Sequence, residues 1–204
     1  MECFDNLSIN ISYEPDMDRN IQIISIKAER FDENFEKLET IATAKLNRIL
    51  WLSTNHEDNL FDFESISQQL HRLSISCLKE DEDGCSKFVN DDNHEFDGMI
   101  YIEEVRVDEE YRRCGIGKAF IHETIKALGA YDDILIVLPF PIEANGNTKA
   151  KKKVINFWES LGFERVNKTD FWSMPSEELK GRKDFLGEAN IDNQKKLYNF
   201  KEVN

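Results

Sequence analysis

The chain has no apolar run long enough to span a bilayer. Its amino terminus lacks the basic stretch followed by an apolar one that marks a secretory leader. These absences lead to the expectation of a cytoplasmic protein with no membrane partner. Cysteine is sparse. Cys3, Cys77, Cys85 and Cys114 do not have the spacing of a metal-ligand set, so no metal is expected. Free thiols in a reducing compartment account for them. Positive charge is also in short supply, with 26 Lys and Arg against 40 Asp and Glu and a formal net charge of −14. Nucleic-acid backbones require a basic face, so a nucleic-acid partner is not expected. The negative surplus suits a cationic substrate such as a polyamine, an amino sugar or a lysine side chain. It serves solubility equally well.

What is present is a globular composition: 204 residues, 40% apolar and 32% charged. That length fits one domain over residues 1–175, with a charged extension over 176–204. Leu7–Tyr13 reads as a short edge strand and Ile21–Lys27 as a first full strand. Phe35, Leu38, Ile41, Ala42, Leu46, Ile49 and Leu50 recur at helical spacing, which predicts an amphipathic helix over Glu33–Leu52, capped by Asp32 or Asn34, with Trp51 at its end. His56 falls in a polar loop, Phe61–Leu70 reads as a shorter helix, and Leu73–Leu78 alternates like a strand. Lys79–Asp97 is acidic and aperiodic, an exposed hairpin loop or insertion without the ligand order of a calcium loop.

The most informative stretch is Glu103–Phe120, EEVRVDEEYRRCGIGKAF. Ile100, Ile102, Val105 and Val107 give strand composition. Ile116, Phe120 and Ala127, widened by Ala119, Ile121, Ile125 and Leu128, give a helical face. Gly115 and Gly117 lie at the junction, where the backbone can approach a ligand without intervening Cβ atoms. The first amides of the helix have no intrahelical acceptor and sit at the positive end of the dipole, a site suited to a diphosphate. Beyond this stretch, Asp133–Leu138 reads as a buried strand stopped by Pro139 and Pro141, and 143–148 as a polar turn. Lys149–Leu161 reads as a helix with Gly162 at its C′ position. Phe163–Val166 and Asp170–Met174 read as a closing pair of strands, and Ile191–Phe200 as a candidate short helix in the tail.

Arg112-x-x-Gly115-x-Gly117 resembles the R-x-x-G-x-G loop of the GNAT superfamily of N-acetyltransferases, and Val107–Gly117 runs in register with the longer V-x-P-E-Y-R-G-K-G-I-G pattern. Glu109, Arg113 and Cys114 depart from that pattern, Arg113 standing where the family has glycine. Asn156–Phe163 resembles the family's F-Y-E-K-L-G-F segment, so the resemblance spans 98–174 by motif. It implies the acetyltransferase fold: α/β (α+β), with a central mixed, mostly antiparallel sheet flanked by helices. It also implies acetyl-CoA as co-substrate, held by Arg112, Arg113, Cys114, Gly115, Ile116, Gly117 and Lys118, with the pantetheine arm along Val105, Arg106 and Val107.

The implied chemistry is acetyl transfer to an amine, which needs a neutral nucleophile and therefore a proton acceptor. Ile100–Val107 is similar to the I-Y-L-E-D segment of spermidine/spermine N-acetyltransferases, which assigns Glu103 as base and Glu104 as substrate contact. In a regular strand adjacent residues face opposite sides, so at most one of the two would face the acceptor. By the same fold analogy, Phe61, Phe63 and His71 are candidates to line the acceptor site. Trp158 stands where the family often has the tyrosine that protonates the thiolate, and an indole cannot act as that acid. Lys149, Lys151, Lys152 and Lys153 are candidates for the 3′-phosphate of CoA, or are solvated surface lysines. Two alternatives to a small-molecule acetyltransferase are kept: a protein N-acetyltransferase, and a CoA-binding regulatory module with little catalysis. The tail is open to three readings: a packed extension, a homodimer contact or a disordered segment.

Overall fold

Three long strands open the fold: β1 (Leu7–Pro15), β2 (Ile21–Phe31) and β3 (Lys37–Leu50). They are seen in a computed structural model that describes residues 7–15, 21–32, 34, 36–50, 56–89, 96, 98–129, 132–141 and 148–181. The strands pair antiparallel in succession, with β1 at one edge of the sheet. Within the helix expected over Glu33–Leu52, Lys37–Leu50 is therefore a strand. Two irregularities of its pairing with β2 explain the misleading period. Thr40 and Ala42 pair with the consecutive residues Glu29 and Ala28, which leaves Ile41 as an extra residue, and a second shift follows near Leu38. Ile41 and Ala42 thus both enter the same apolar cluster. The apolar spacing imitates a helix, while Thr40, Ile41, Thr43 and Ile49 supply the β-branched composition of a strand.

Two helices follow, α1 (His56–Ile66) and α2 (Gln68–Cys77). Ser67 separates them, its hydroxyl accepting from the Leu70 amide at 3.1 Å as an N-cap. The expected strand over Leu73–Leu78 is mostly α2: Leu70, Leu73 and Cys77 recur at helical spacing and are fully buried. Only Leu78 begins a strand, β4 (Leu78–Glu80), which pairs with β5 (Ser86–Phe88). The acidic segment is thus a hairpin as far as Phe88. Its turn is held by the Asp81 carboxylate, which accepts from the amides of Asp83 at 3.0 Å and Cys85 at 2.8 Å. His56 opens α1 instead of lying in a loop. Its amide donates to the Gly84 carbonyl at 2.9 Å, and its Nδ1 lies 2.9 Å from the Ser86 hydroxyl.

The second half has the expected order: β6 (Gly98–Val107), α3 (Ile116–Ala127), β7 (Asp133–Val137), α4 (Thr148–Glu159), β8 (Glu164–Arg165) and β9 (Trp172–Pro175), closed by α5 (Ser176–Gly181). Among the described residues the sheet has seven strands in the order β1-β2-β3-β6-β7-β9-β8. Only the β6/β7 pair is parallel, which makes the sheet mixed and mostly antiparallel as the fold class requires.

Two apolar clusters form on this sheet. Ile24, Ile26, Leu46, Ile100, Ile102, Leu135 and Val137 join Ile116, Phe120, Ile121 and Ile125 of α3 and Trp158 of α4. Ile49, Met99, Tyr101, Ile134 and Ile136 join Phe63, Leu70 and Leu73 of the first two helices. Each fully buried side chain of this size contributes about 1.5–3 kcal/mol, so both clusters are needed to hold the sheet. Leu179 of α5 is buried in the first cluster, so packed core continues past residue 175. Ala127, expected on the apolar face of α3, is exposed; Thr124 takes the buried place instead. Between the sheet and α3, Arg48 reaches the buried Asp133 at 2.9 Å and the Leu128 carbonyl at 3.5 Å.

Among the described residues no helix is long and apolar enough to cross a membrane. Cys3, Phe35, Trp51, 90–95, the turn at 143–147 and the tail helix Ile191–Phe200 lie outside the described residues.

Candidate active site

The site is created where β6 and β7 part. Their parallel ladder runs from Gly98/Asp133 to Ile102/Val137 and ends there. Pro139 and Pro141 follow on the β7 side, and proline has no N–H to continue a ladder. Among the described residues β6 itself continues to Val107 paired only with β3. No described strand lies along the β7-facing edge of residues 103–107 at the centre of the sheet, and its backbone groups are able to bond an extended ligand.

At this point β6 carries a bulge. Leu46 pairs with Ile102 and the adjacent Lys45 pairs with Glu104, so Glu103 has no partner opposite. The bulge reverses the alternation. Ile100, Ile102, Val105 and Val107 all pack toward the α3 cluster, so the inward parity changes across Glu103. Glu103 and Glu104 then share the face of Tyr101, and the rule that adjacent strand residues face opposite sides fails here. Glu103 is exposed, and its Oε2 accepts from the Nδ2 of the buried Asn47 at 3.3 Å. Glu104 is partly covered and pairs with Arg106 two residues along the strand at 3.1 Å. The Tyr101 hydroxyl donates to Gln69 of α2 at 3.0 Å. Its pKa is pushed up, first by burial and then by the Glu103 charge, so this phenol stays protonated.

The loop after β6 is built from short-range contacts. The Asp108 amide donates to the Ile41 carbonyl at 2.8 Å, and its carboxylate accepts from the Glu110 amide at 3.2 Å, starting a single 3-10 turn over Glu109–Tyr111. The buried Tyr111 anchors that turn, its hydroxyl donating to Glu39 at 2.5 Å while Arg30 pairs with the same carboxylate at 2.9 Å. The hydrogen bond to Glu39 raises the Tyr111 pKa, with burial as the second cause. Arg112 Nε donates back to the Val107 carbonyl at 2.9 Å, closing the loop.

Arg113 and Gly115 both have left-handed backbone, at φ +68° and +85°. The position where the family pattern has glycine therefore retains a glycine-type conformation with an arginine in it. The Gly115 carbonyl accepts from the amides of Lys118 and Ala119 at 3.1 and 3.2 Å, starting α3. Gly115 is the N-cap and supplies no side-chain acceptor. Alternating left-handed residues ahead of a helix start turn successive N–H groups toward one concavity, a nest suited to an anion. Gly117 completes the wall. A Cβ there would come within 3.4 Å of the Phe157 ring and 3.5 Å of Val107.

The structure brings Glu103, Glu104 and the 105–118 segment together along one strand, turn and helix start. Other expected residues are placed elsewhere. Trp158 is buried, with its ring edge-to-face on Phe157 at 5.2 Å and Phe163 at 5.0 Å, so it packs in the core. Phe63 is a fully buried core residue, Phe61 is largely exposed and His71 is half-buried on α2. Lys149, Lys151, Lys152 and Lys153 lie exposed in the first turns of α4. Among the described residues no group of His, Cys, Asp and Glu is arranged as metal ligands. Asn47 was missed by the sequence reading. The only signal for it was an amide next to Leu46 in the run Leu46 to Leu50, where Arg48 is the other polar residue.

Residues 74–165 match the family model described as the acetyltransferase (GNAT) domain. No curated protein sequence matches the chain. Among solved structures, AtaTR bound with AcCoA is 12% identical, covering 86% of this chain and 96% of that one with a TM-score of 0.44. AtaT complexed with acetyl-methionyl-tRNAfMet is 10% identical, covering 85% and 98% with a TM-score of 0.41. Arabidopsis thaliana NAA60 in complex with acetyl-CoA is 20% identical, covering 74% and 72% with a TM-score of 0.36. The family match falls on the segment that forms the opened ladder, the amide loop and the two helices behind it, and it is residues 74–165 that match the acetyltransferase (GNAT) domain.

Proposed function

We propose that the chain is an acetyl-CoA-dependent N-acetyltransferase that passes the acetyl group directly to a primary amine of a cationic small molecule. The observation that carries this reading is the pair of left-handed residues ahead of α3, set beside the open edge of β6. The nest fits a diphosphate, and the edge of Val105, Arg106 and Val107 fits the amide groups of a pantetheine arm. When bound, acetyl-CoA supplies an activated thioester.

The chain's own residues then have distinct tasks. The amides of Arg113 to Gly117 and the positive end of α3 hold negative charge, with Arg112 and Lys118 at either side. Glu103, exposed at the vertex of the opening, accepts the ammonium proton directly or through a water, so that the neutral amine can attack. The Asn47 contact leaves the rest of that carboxylate open to a substrate. Glu104 lies on the same face, and two carboxylates side by side favour a cation. Arg106 already offsets part of the Glu104 charge, which makes Glu103 the stronger choice of base. No side chain is assigned as acid to the thiolate, a leaving group good enough to depart without one. The net charge of −14 speaks against an RNA acceptor and for a cationic one.

The burial of Trp158 favours one second reading, a CoA-binding module with weak chemistry. The test is melting of the full chain with and without acetyl-CoA, then thiol release with spermidine, glucosamine and a lysine-containing peptide. At a hundredfold excess over Kd, binding to the native state adds about 2.7 kcal/mol, a rise of roughly 5–10 °C. A rise with thiol release from spermidine or glucosamine supports the proposal. Release from the peptide alone would move the assignment to a protein acceptor. A rise with no release would favour the binding module, and no rise would remove acetyl-CoA from the account.

A further inference from the structure

Asn47 occupies a position that the apolar core would normally fill. It is 3% exposed, lies between Leu46 and Ile49 on β3, and pairs in register with Tyr101. An amide placed there loses hydration that an apolar side chain would not miss, so it needs a polar partner to offset the loss. Its side-chain partner in the structure is the Glu103 carboxylate. Glu103 is the residue that the bulge leaves without a partner across the ladder, one residue past the last rung between β6 and β7. A bulged residue has no backbone pairing to fix its side chain, so a contact from the neighbouring strand must do it.

We propose that Asn47 is a positioning residue for Glu103: its side-chain N–H, fixed by burial in β3, holds the carboxylate in one place on the exposed face of β6, beside the point where β6 and β7 separate. This rests on the reading of Glu103 as the base. The donor bonds one oxygen of the carboxylate and leaves the other for the ammonium proton. At 3.3 Å the contact is long for a hydrogen bond, and such contacts tighten when substrate fills the site. Polar residues near this point on the same face act elsewhere. Glu104 is paired with Arg106, Tyr101 is bonded to Gln69, and Arg72 lies 3.7 Å from Asp170.

The experiment uses the full chain as wild type, Asn47→Leu, Glu103→Gln and the double variant, with acetyl-CoA and whichever of spermidine, glucosamine or lysine peptide the wild type acetylates fastest. Leucine keeps the branched shape and the number of heavy atoms of asparagine and suits the apolar neighbours, so Asn47→Leu melts at or above the wild type. Its kcat nevertheless falls about tenfold, the value of one hydrogen bond to a charged group, with the KM for acetyl-CoA unchanged. In the Glu103→Gln background the same change costs less than twofold, because the group it positions has gone. In 15N–1H spectra the Asn47 side-chain amide, identified by its loss in Asn47→Leu, moves in Glu103→Gln and stays in place in Glu104→Gln.

Equal losses in both backgrounds, or an Asn47 amide that ignores Glu103, would overturn the inference while leaving the acetyltransferase reading intact. Full turnover by Glu103→Gln would instead remove the base, and Asn47's role with it. A wild type without turnover on any of the three amines overturns both, and is recognised by missing activity in all four proteins.

Discussion

Arg113 offers a test of whether the amide loop is conformationally strained. Its φ of +68° is left-handed, a region that costs a residue with a Cβ about 1–2 kcal/mol. Replacement by glycine removes that cost. It also adds unfolded-chain entropy, which takes back about 0.5–1 kcal/mol. The net gain for Arg113→Gly is therefore about 0.5–1 kcal/mol, or a Tm rise of roughly 1–4 °C for a chain of this size. Arg113→Ala is the control, because it removes the guanidinium and keeps the Cβ. Melting curves without ligand should place Arg113→Gly above Arg113→Ala, and the difference belongs to the backbone alone. Acetyl-CoA titrations of the two variants should agree with each other, since both lack the same charge. If Arg113→Gly melts at or below Arg113→Ala, the loop is not strained at this residue and the glycine-type nest has been misread.

Other perturbations test the frame around the loop. Tyr111→Phe removes the hydroxyl bond to Glu39; it should cost about 1 kcal/mol, or roughly 2–4 °C, and should weaken acetyl-CoA binding measured calorimetrically. Gly98→Ala should cost about 1–3 kcal/mol or prevent folding, read from urea unfolding, because its Cβ would meet the Ile49 carbonyl oxygen at 2.6 Å and Asp133 Oδ1 at 2.8 Å. The Glu29 carboxyl is held below its ordinary value of 4.5, first by the hydrogen bond from Lys37 and also by the one from Asn10, against the cost of burial. A depressed folded value means that its stabilisation is present above 4.5 and is lost as pH falls through the folded value. The Tm advantage of wild type over Glu29→Gln should therefore be full at pH 6–7 and shrink below about pH 4.5. An advantage independent of pH would contradict that assignment.

The second half of the fold was legible because its elements follow ordinary periods. The all-apolar run from Ile134 to Val137 could only be a buried strand, and Gly162, at φ +105°, ends α4 in the conformation that favours glycine. The first half was misread where pairing is irregular. An extra residue at Ile41 brings two neighbours to one face, and no single-strand pattern announces that. The break between α1 and α2 rests on one capping serine, Ser67, inside a stretch that otherwise reads as one helix followed by a strand. The same physics limits the reading of the site. The loop was visible from its glycines and arginines, whereas the common face of Glu103 and Glu104 depends on a bulge opposite Lys45 and Leu46. Asn47 is 56 residues from its partner, so the contact exists only once β3 and β6 are paired.

The central claim is that the loop before α3 holds the diphosphate of acetyl-CoA. Calorimetric titration of the full chain with acetyl-CoA and with S-acetylpantetheine, which keeps the thioester and lacks the diphosphate, tests it most directly. Two charge-assisted hydrogen bonds from the loop amides imply that acetyl-CoA binds at least about 100-fold more tightly. Equal affinities for the two compounds would contradict the claim.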